Sequence, residues 1–154
     1  MKYREYLISA RRHNKACKVL QERIDLYDGQ GINDESFKFL VLNLYYLSGY
    51  IVECSLKFKI YELFGYSINV DVNDPNECKK VGIDYRKDIR NHNLERLQEL
   101  LDSKISGFTH KSTNISVDQL LVRWSPDVRY ESIELKYSEI QDLYKHINSF
   151  MRKM

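Results

Sequence analysis

Apolar side chains recur through residues 3–27 in two rows of seven-residue spacing. Tyr3, Ala10, Cys17 and Ile24 form one row, and Tyr6, His13, Leu20 and Tyr27 form the other. Rows offset by three positions lie side by side on a helix, so this segment reads as a helix with one apolar stripe. Asp28 to Asp34 (DGQGIND) breaks the period with two glycines and several cap-forming side chains, which predicts a helix–helix turn. From Glu35 to Phe64 there is no proline and Gly49 is the only glycine. The apolar density of this stretch is too high for a helix with one wet face, so a long central helix contacted on several sides is expected, stopped at Gly65. Glycine in a helix interior costs about 1 kcal/mol relative to alanine, which points to close approach by a neighbouring helix at Gly49.

The helical period is lost over residues 66–91, where Asp74-Pro75 and Gly82 punctuate a long loop with at most a short strand-like or helical piece. His92 or Asn93 is placed to cap the next helix, residues 94–105, whose Leu94, Leu97, Leu101 and Ile105 follow a three-four spacing. A polar loop over 106–114 leads to a short helix around Val117 to Arg123, stopped by Trp124-Ser125-Pro126. The last helix, 132–152, places Ile133, Tyr137, Ile140, Tyr144, Ile147 and Met151 on one face. The expectation is an all-α fold of five helices, three long and two short, in a single domain spanning 1–154.

Composition narrows the function classes. Hydrophobic residues at 43% and charged residues at 30% are a folding balance rather than that of a disordered chain. Lys and Arg exceed Asp and Glu only by 24 to 22, so any nucleic-acid site must be a local patch. Cys17, Cys54 and Cys78 are widely spaced and in no CxxC arrangement, which argues against a zinc site or disulfide framework and for a reducing cytoplasm. The charged, amphipathic N-terminus has no apolar leader region, and no run of about 18 apolar residues occurs, so neither secretion nor a membrane location is expected. P-loop, GxGxxG, HExxH, GxSxG and EF-hand patterns are absent; no cofactor and no metal is expected.

Two segments in order, Ser48 to Lys57 (SGYIVECSLK) and His92 to Leu101 (HNLERLQELL), resemble the HEPN family, whose members read approximately aGYxxExxLKxxL, then a loop, then H(D/N)LxxLxxLL. Arg123 to Tyr130 (RWSPDVRY), ahead of a final amphipathic helix, is similar to the RY turn of these proteins. The resemblance implies an antiparallel helical bundle, often homodimeric, from bacterial toxin–antitoxin and phage-defence loci. Its catalytic members carry R-x4-6-H and cleave RNA without a metal. Arg86 to His92 (RKDIRNH) has that spacing. A histidine moves protons near neutrality and an arginine holds a phosphate through paired charge-assisted bonds, which makes chemical sense of Arg86 and His92 as a catalytic pair. Lys87, Arg90, Arg129 and Tyr130 are the accompanying candidates for contact with RNA or a nucleotide. Where toxin versions have a tyrosine two residues after the histidine, this chain has Leu94. The alternative is therefore a non-catalytic module that binds a nucleotide, an RNA or a protein such as a nucleotidyltransferase antitoxin, with His92 in a capping or packing role.

Other polar residues carry plainer readings beside functional ones. His13 falls on the apolar stripe and reads as a core or interface residue. Arg11, Arg12, Lys15 and Lys18 form a solvated face, with phosphate contact as the functional alternative. Glu53 lies in an apolar stretch and needs a partner, for which Lys57 is one turn away. Arg129 and Tyr130 brace the last two helices or join a nucleotide cleft, and Trp124 is a packing anchor.

Overall fold

The apolar rows of the first segment fold as α1 (Arg4–Asp25), which buries Ala10, Cys17 and Ile24 against the central helix. In the computed structural model, which describes residues 1–27 and 34–154, that central helix is α2 (Glu35–Leu63). The turn expected at Asp28 to Asp34 lies, but for Asp34, outside the described residues. Asp34 caps α2, its carboxylate accepting from the Ser36 N–H at 2.6 Å. Gly65 ends the segment with φ +71°, a conformation that costs glycine little.

Ring contacts fix the direction of the first pair of helices. Tyr3 lies 5.7 Å from Phe58 and 6.0 Å from Tyr61, His13 lies 5.7 Å from Tyr50, and Tyr27 meets Phe37 at 5.5 Å. The start of α1 therefore meets the end of α2, an antiparallel pair. Every residue from Ile51 to Phe58 is buried, so the middle of α2 is enclosed on all sides, as its continuous apolar run predicts. By length and composition α2 would also suffice to cross a membrane, but most of that stretch is buried inside this fold.

Residues 66–91 are more ordered than their lost period suggests. Asp74 caps a sixth α-helix, α3 (Pro75–Lys80), accepting from the Asn76 and Glu77 N–H groups at 3.0 Å, with Pro75 in the first turn where its missing N–H costs nothing. The Tyr61 hydroxyl donates to the Val72 carbonyl at 2.7 Å and ties this loop to α2. A π-helical turn follows over Tyr85–Ile89, capped by Asp84 and closed by the Arg90 N–H on the Tyr85 carbonyl at 2.8 Å.

α4 (Leu94–Asp102) is capped by Asn93 rather than His92, the Asn93 side-chain oxygen accepting from the Arg96 N–H at 2.9 Å. α5 (Ile115–Arg123) is joined to α2 by the Tyr45 hydroxyl on the Leu120 carbonyl at 2.8 Å. A 3-10 turn, Pro126–Tyr130, leads to α6 (Tyr137–Met151). The expected final helix thus begins five residues late. Ile133 and Leu135 alternate with exposed neighbours along an extended run, a period of two that overrides the single apolar match at Ile133. α6 runs alongside α2, with Tyr137 against Phe37 at 5.8 Å and Met151 at 3.0 Å from the Ser55 hydroxyl. The described residues form an all-α bundle without a strand, with α2 at its centre.

Candidate functional site

Glu53 is 3% exposed, at the centre of the enclosed stretch of α2. A carboxylate so placed needs charge-assisted partners, and it has two. Lys57, one helical turn on and equally buried, approaches Oε1 at 2.5 Å, as the spacing anticipates. The other oxygen, Oε2, lies 2.9 Å from Nδ1 of His92. This second partner is 39 residues away, and nothing in the periodicity of the chain announces it.

His92 is held in the short link between the π-turn and α4. The Asn91 side chain accepts from the Asn93 N–H at 3.1 Å, and Asp88, buried in the π-turn, accepts from Arg96 of α4 at 3.1 Å. The imidazole is half exposed, with its inner nitrogen on Glu53. A carboxylate only accepts, so Nδ1 carries the proton and, in the neutral ring, Nε2 carries the lone pair.

The rings beside His92 explain Gly49. Tyr50 stands edge-on to His92 at 6.3 Å, to Trp124 at 5.1 Å and to Tyr46 at 5.0 Å. Trp124 lies over α2 and donates its indole N–H to the Tyr46 carbonyl at 3.1 Å. A Cβ on Gly49 would stand 2.0 Å from the Trp124 ring, so the close approach is made by this anchor at the end of α5. His13 also faces Tyr50, as a packing residue of the stripe. Burial lowers its pKa from the ordinary value, partly offset by the charge of Glu53.

The candidate cations divide into two groups. Arg86, Lys87 and Arg90 are exposed on and beside the π-turn that leads to His92, and they form no ion pair among the described residues. Within the chain the Arg86 side chain makes no hydrogen bond to His92. Arg129 donates to the Tyr46 hydroxyl at 2.9 Å and covers the Tyr130 ring at 4.6 Å, so it braces the 3-10 turn on α2 rather than joining α5 to α6. Tyr130 is 75% exposed. Arg11, Arg12, Lys15 and Lys18 are exposed on the outer face of α1.

A cleft of about 570 Å³ opens beside His92, between the start of α4, α5 and the turn at Trp124. Its walls carry Glu95, Asp118 and Asp127 against one lysine, Lys111, already paired with Glu95 at 2.7 Å. That sign of charge repels a phosphodiester, whereas the π-turn flank of His92 attracts one. Among the described residues no three His, Cys, Asp or Glu side chains converge as a metal-binding group.

No family model, no curated protein and no solved structure matches the chain.

Proposed function

We propose that this chain is a HEPN-like, RNA-directed component of a prokaryotic toxin–antitoxin or phage-defence system, acting in the cytoplasm as a homodimer that cleaves RNA without a metal ion. The observation that carries the reading is the Glu53–His92 hydrogen bond. It joins in space the two segments on which the family resemblance rests, and it presents a half-exposed imidazole with its inner nitrogen committed to a carboxylate.

Such a histidine is suited to general-base work. Nε2 takes the proton of a ribose 2′-OH as that oxygen attacks the neighbouring phosphorus. The 5′-oxygen of the next nucleotide leaves and takes a proton from water, and a 2′,3′-cyclic phosphate remains. Glu53 acts through His92, as a positioning residue that fixes the ring and stabilises its cationic form. Arg86, Lys87 and Arg90 attract the phosphodiester, and Arg86 of the second copy completes the site by holding the reacting phosphate. Total RNA incubated with the purified protein in EDTA is cleaved, and His92→Ala abolishes cleavage while the far-UV circular dichroism is retained. Inertness of the wild-type protein towards a broad set of RNAs rejects the nuclease.

A second reading is a non-catalytic module that binds a nucleotide, an RNA or a cognate antitoxin protein. It is favoured by the lack of a hydrogen bond between Arg86 and His92 within one chain, and by the use of His92 as partner to a buried acid. Under it His92→Ala lowers stability and leaves partner binding intact. RNA cleavage by the free, purified protein, lost in His92→Ala, separates the two readings.

A further inference from the structure

His110 is a buried side chain with one unused nitrogen. Gln98 of α4 donates through its amide nitrogen to the Phe108 carbonyl at 2.8 Å and to the Asp102 carboxylate at 2.7 Å, two groups that only accept. Its amide oxygen is therefore the atom that faces His110, 2.7 Å from Nδ1 and 3.1 Å from the backbone nitrogen. Nδ1 carries the ring proton and Nε2 the lone pair. Burial lowers the pKa of this ring to about 4, so at neutral pH it is uncharged and Nε2 is an acceptor. The residue is only 4% exposed, yet no donor among the described residues reaches that nitrogen. Among the described residues, the sealed side-chain N and O atoms without a partner are Asn14 Oδ1 and Ser48 Oγ. Nε2 of His110 is thus open, onto the acidic cleft that this residue lines beside His92.

The acids of the cleft stand around the same nitrogen. Asp118, in the first turn of α5, is tied to the segment that carries His110, its Oδ1 accepting from the Ser112 N–H at 3.1 Å. Asp118 and Asp127 form no ion pair among the described residues, whereas Glu95 holds Lys111. Lys111 and the half-charge at the start of α4 together do not cancel three carboxylates. Asp127 lies beyond the far end of α5, whose axis rises about 7.5 Å from Asp118 to Arg123. The cleft-lining residues between these two acids in sequence, Leu121, Val122, Trp124 and Pro126, are apolar but for Ser125.

We propose that the cleft binds a linear aliphatic diamine or polyamine, with one ammonium group donating to Nε2 of His110 beside Asp118, a second facing Asp127, and the methylenes between them on Leu121 and Trp124. This ligand does not depend on the RNA reading, since its charge is opposite to that of a phosphodiester. A lone acceptor nitrogen sorts cations by their hydrogens. A primary or secondary ammonium group donates to it, whereas a quaternary one has no hydrogen to give and leaves the buried lone pair unmet. Two unpaired acids at opposite ends of α5 favour a ligand with two charges, and the apolar wall between them suits its carbon chain. A metal ion is a poorer match, because among the described residues no three His, Cys, Asp or Glu side chains converge.

The test is calorimetric titration of the full chain, at neutral pH and fixed ionic strength, with hexamethylenediamine and with hexamethonium, the same carbon chain with its nitrogens fully methylated. The diamine binds at a single site, and hexamethonium binds about tenfold more weakly or not at all. Asp118→Asn, which keeps an acceptor for the Ser112 N–H, and Asp127→Asn each weaken diamine binding by about tenfold. Both variants retain the far-UV circular dichroism of the wild type. In nitrogen NMR spectra of the imidazoles, the unprotonated Nε2 of His110 moves upfield with the diamine and stays in place with hexamethonium. Equal affinity for the two cations reveals attraction to charge alone and overturns recognition by His110. Absence of saturable diamine binding, or an affinity unchanged in either folded variant, overturns the site altogether. Each of these results leaves RNA cleavage by His92 untouched.

Discussion

Nδ1 of His92 and Oε2 of Glu53 stand 2.9 Å apart, and the other oxygen of the same carboxylate is held by Lys57. Glu53 and Lys57 are both buried, and each takes up the polar head of the other. Removing Glu53 alone leaves Lys57 unpaired in the core, at a cost of about 3–5 kcal/mol, whereas removing Lys57 alone leaves Glu53 with His92. Glu53→Met loses stability on that scale in urea unfolding, and Lys57→Met loses less because His92 still faces Glu53. Replacing both with methionine loses much less than the two single losses combined. Additive losses in the double-mutant cycle would contradict the pairing.

At Gly49 the neighbour is rigid. An alanine Cβ would stand 2.0 Å from the Trp124 ring, which must move or lift off α2. Gly49→Ala therefore destabilises by about 1–3 kcal/mol despite alanine's better helix propensity. Trp124 is the only tryptophan, so its emission shifts to longer wavelength as the indole meets water. An unchanged spectrum and midpoint would refute the notch.

Acid weakens the fold through His110. Its Nδ1 lies 2.7 Å from the Gln98 side-chain oxygen, and burial pushes its pKa from 6.5 down to about 4. The unfolded chain binds this proton below about pH 6.5 and the folded chain only near pH 4. Stability is therefore fully present above pH 6.5 and falls as the pH drops towards 4, by about 3 kcal/mol in all. His13, also lowered by burial, adds a loss of the same sign. Urea midpoints at pH 7.5, 6 and 4.5 follow this fall in the wild type, and His110→Asn has a shallower one.

The three thiols should be silent in the native protein. Cys17, Cys54 and Cys78 are buried, and burial pushes the first two up to about 12 and raises the third. An aromatic disulfide reagent at pH 8 labels none of them natively and all three in urea. Rapid native labelling of any one would show that its helix opens locally.

What could be read from the chain follows the range of the forces involved. The stripe of α1, the enclosed middle of α2, the Glu53–Lys57 pair and the stop at Gly65 are local or periodic, and all are visible in sequence. α3 carries a local signal too, since Asp74 followed by Pro75 is a cap and a first helical turn as much as a break. Over six residues, though, no apolar period develops to distinguish the two. The Trp124–Gly49 contact was half legible: the glycine implied a close neighbour, but the neighbour lies 75 positions on. His92 on Glu53 was not legible at all, because a hydrogen bond 39 residues long depends on how the π-turn and α4 dock against α2. Likewise the neighbours of Arg129 in sequence point to the last two helices or a nucleotide cleft, and nothing local announces its hydroxyl partner on α2.

The notch under Trp124 also constrains how this chain can diverge. A residue that gains a side chain at position 49 needs one that gives up its indole at position 124, so the two must change together or not at all. Relatives too distant to share overall similarity should still show the pair as a linked choice, glycine with tryptophan or a bulkier residue with a smaller one.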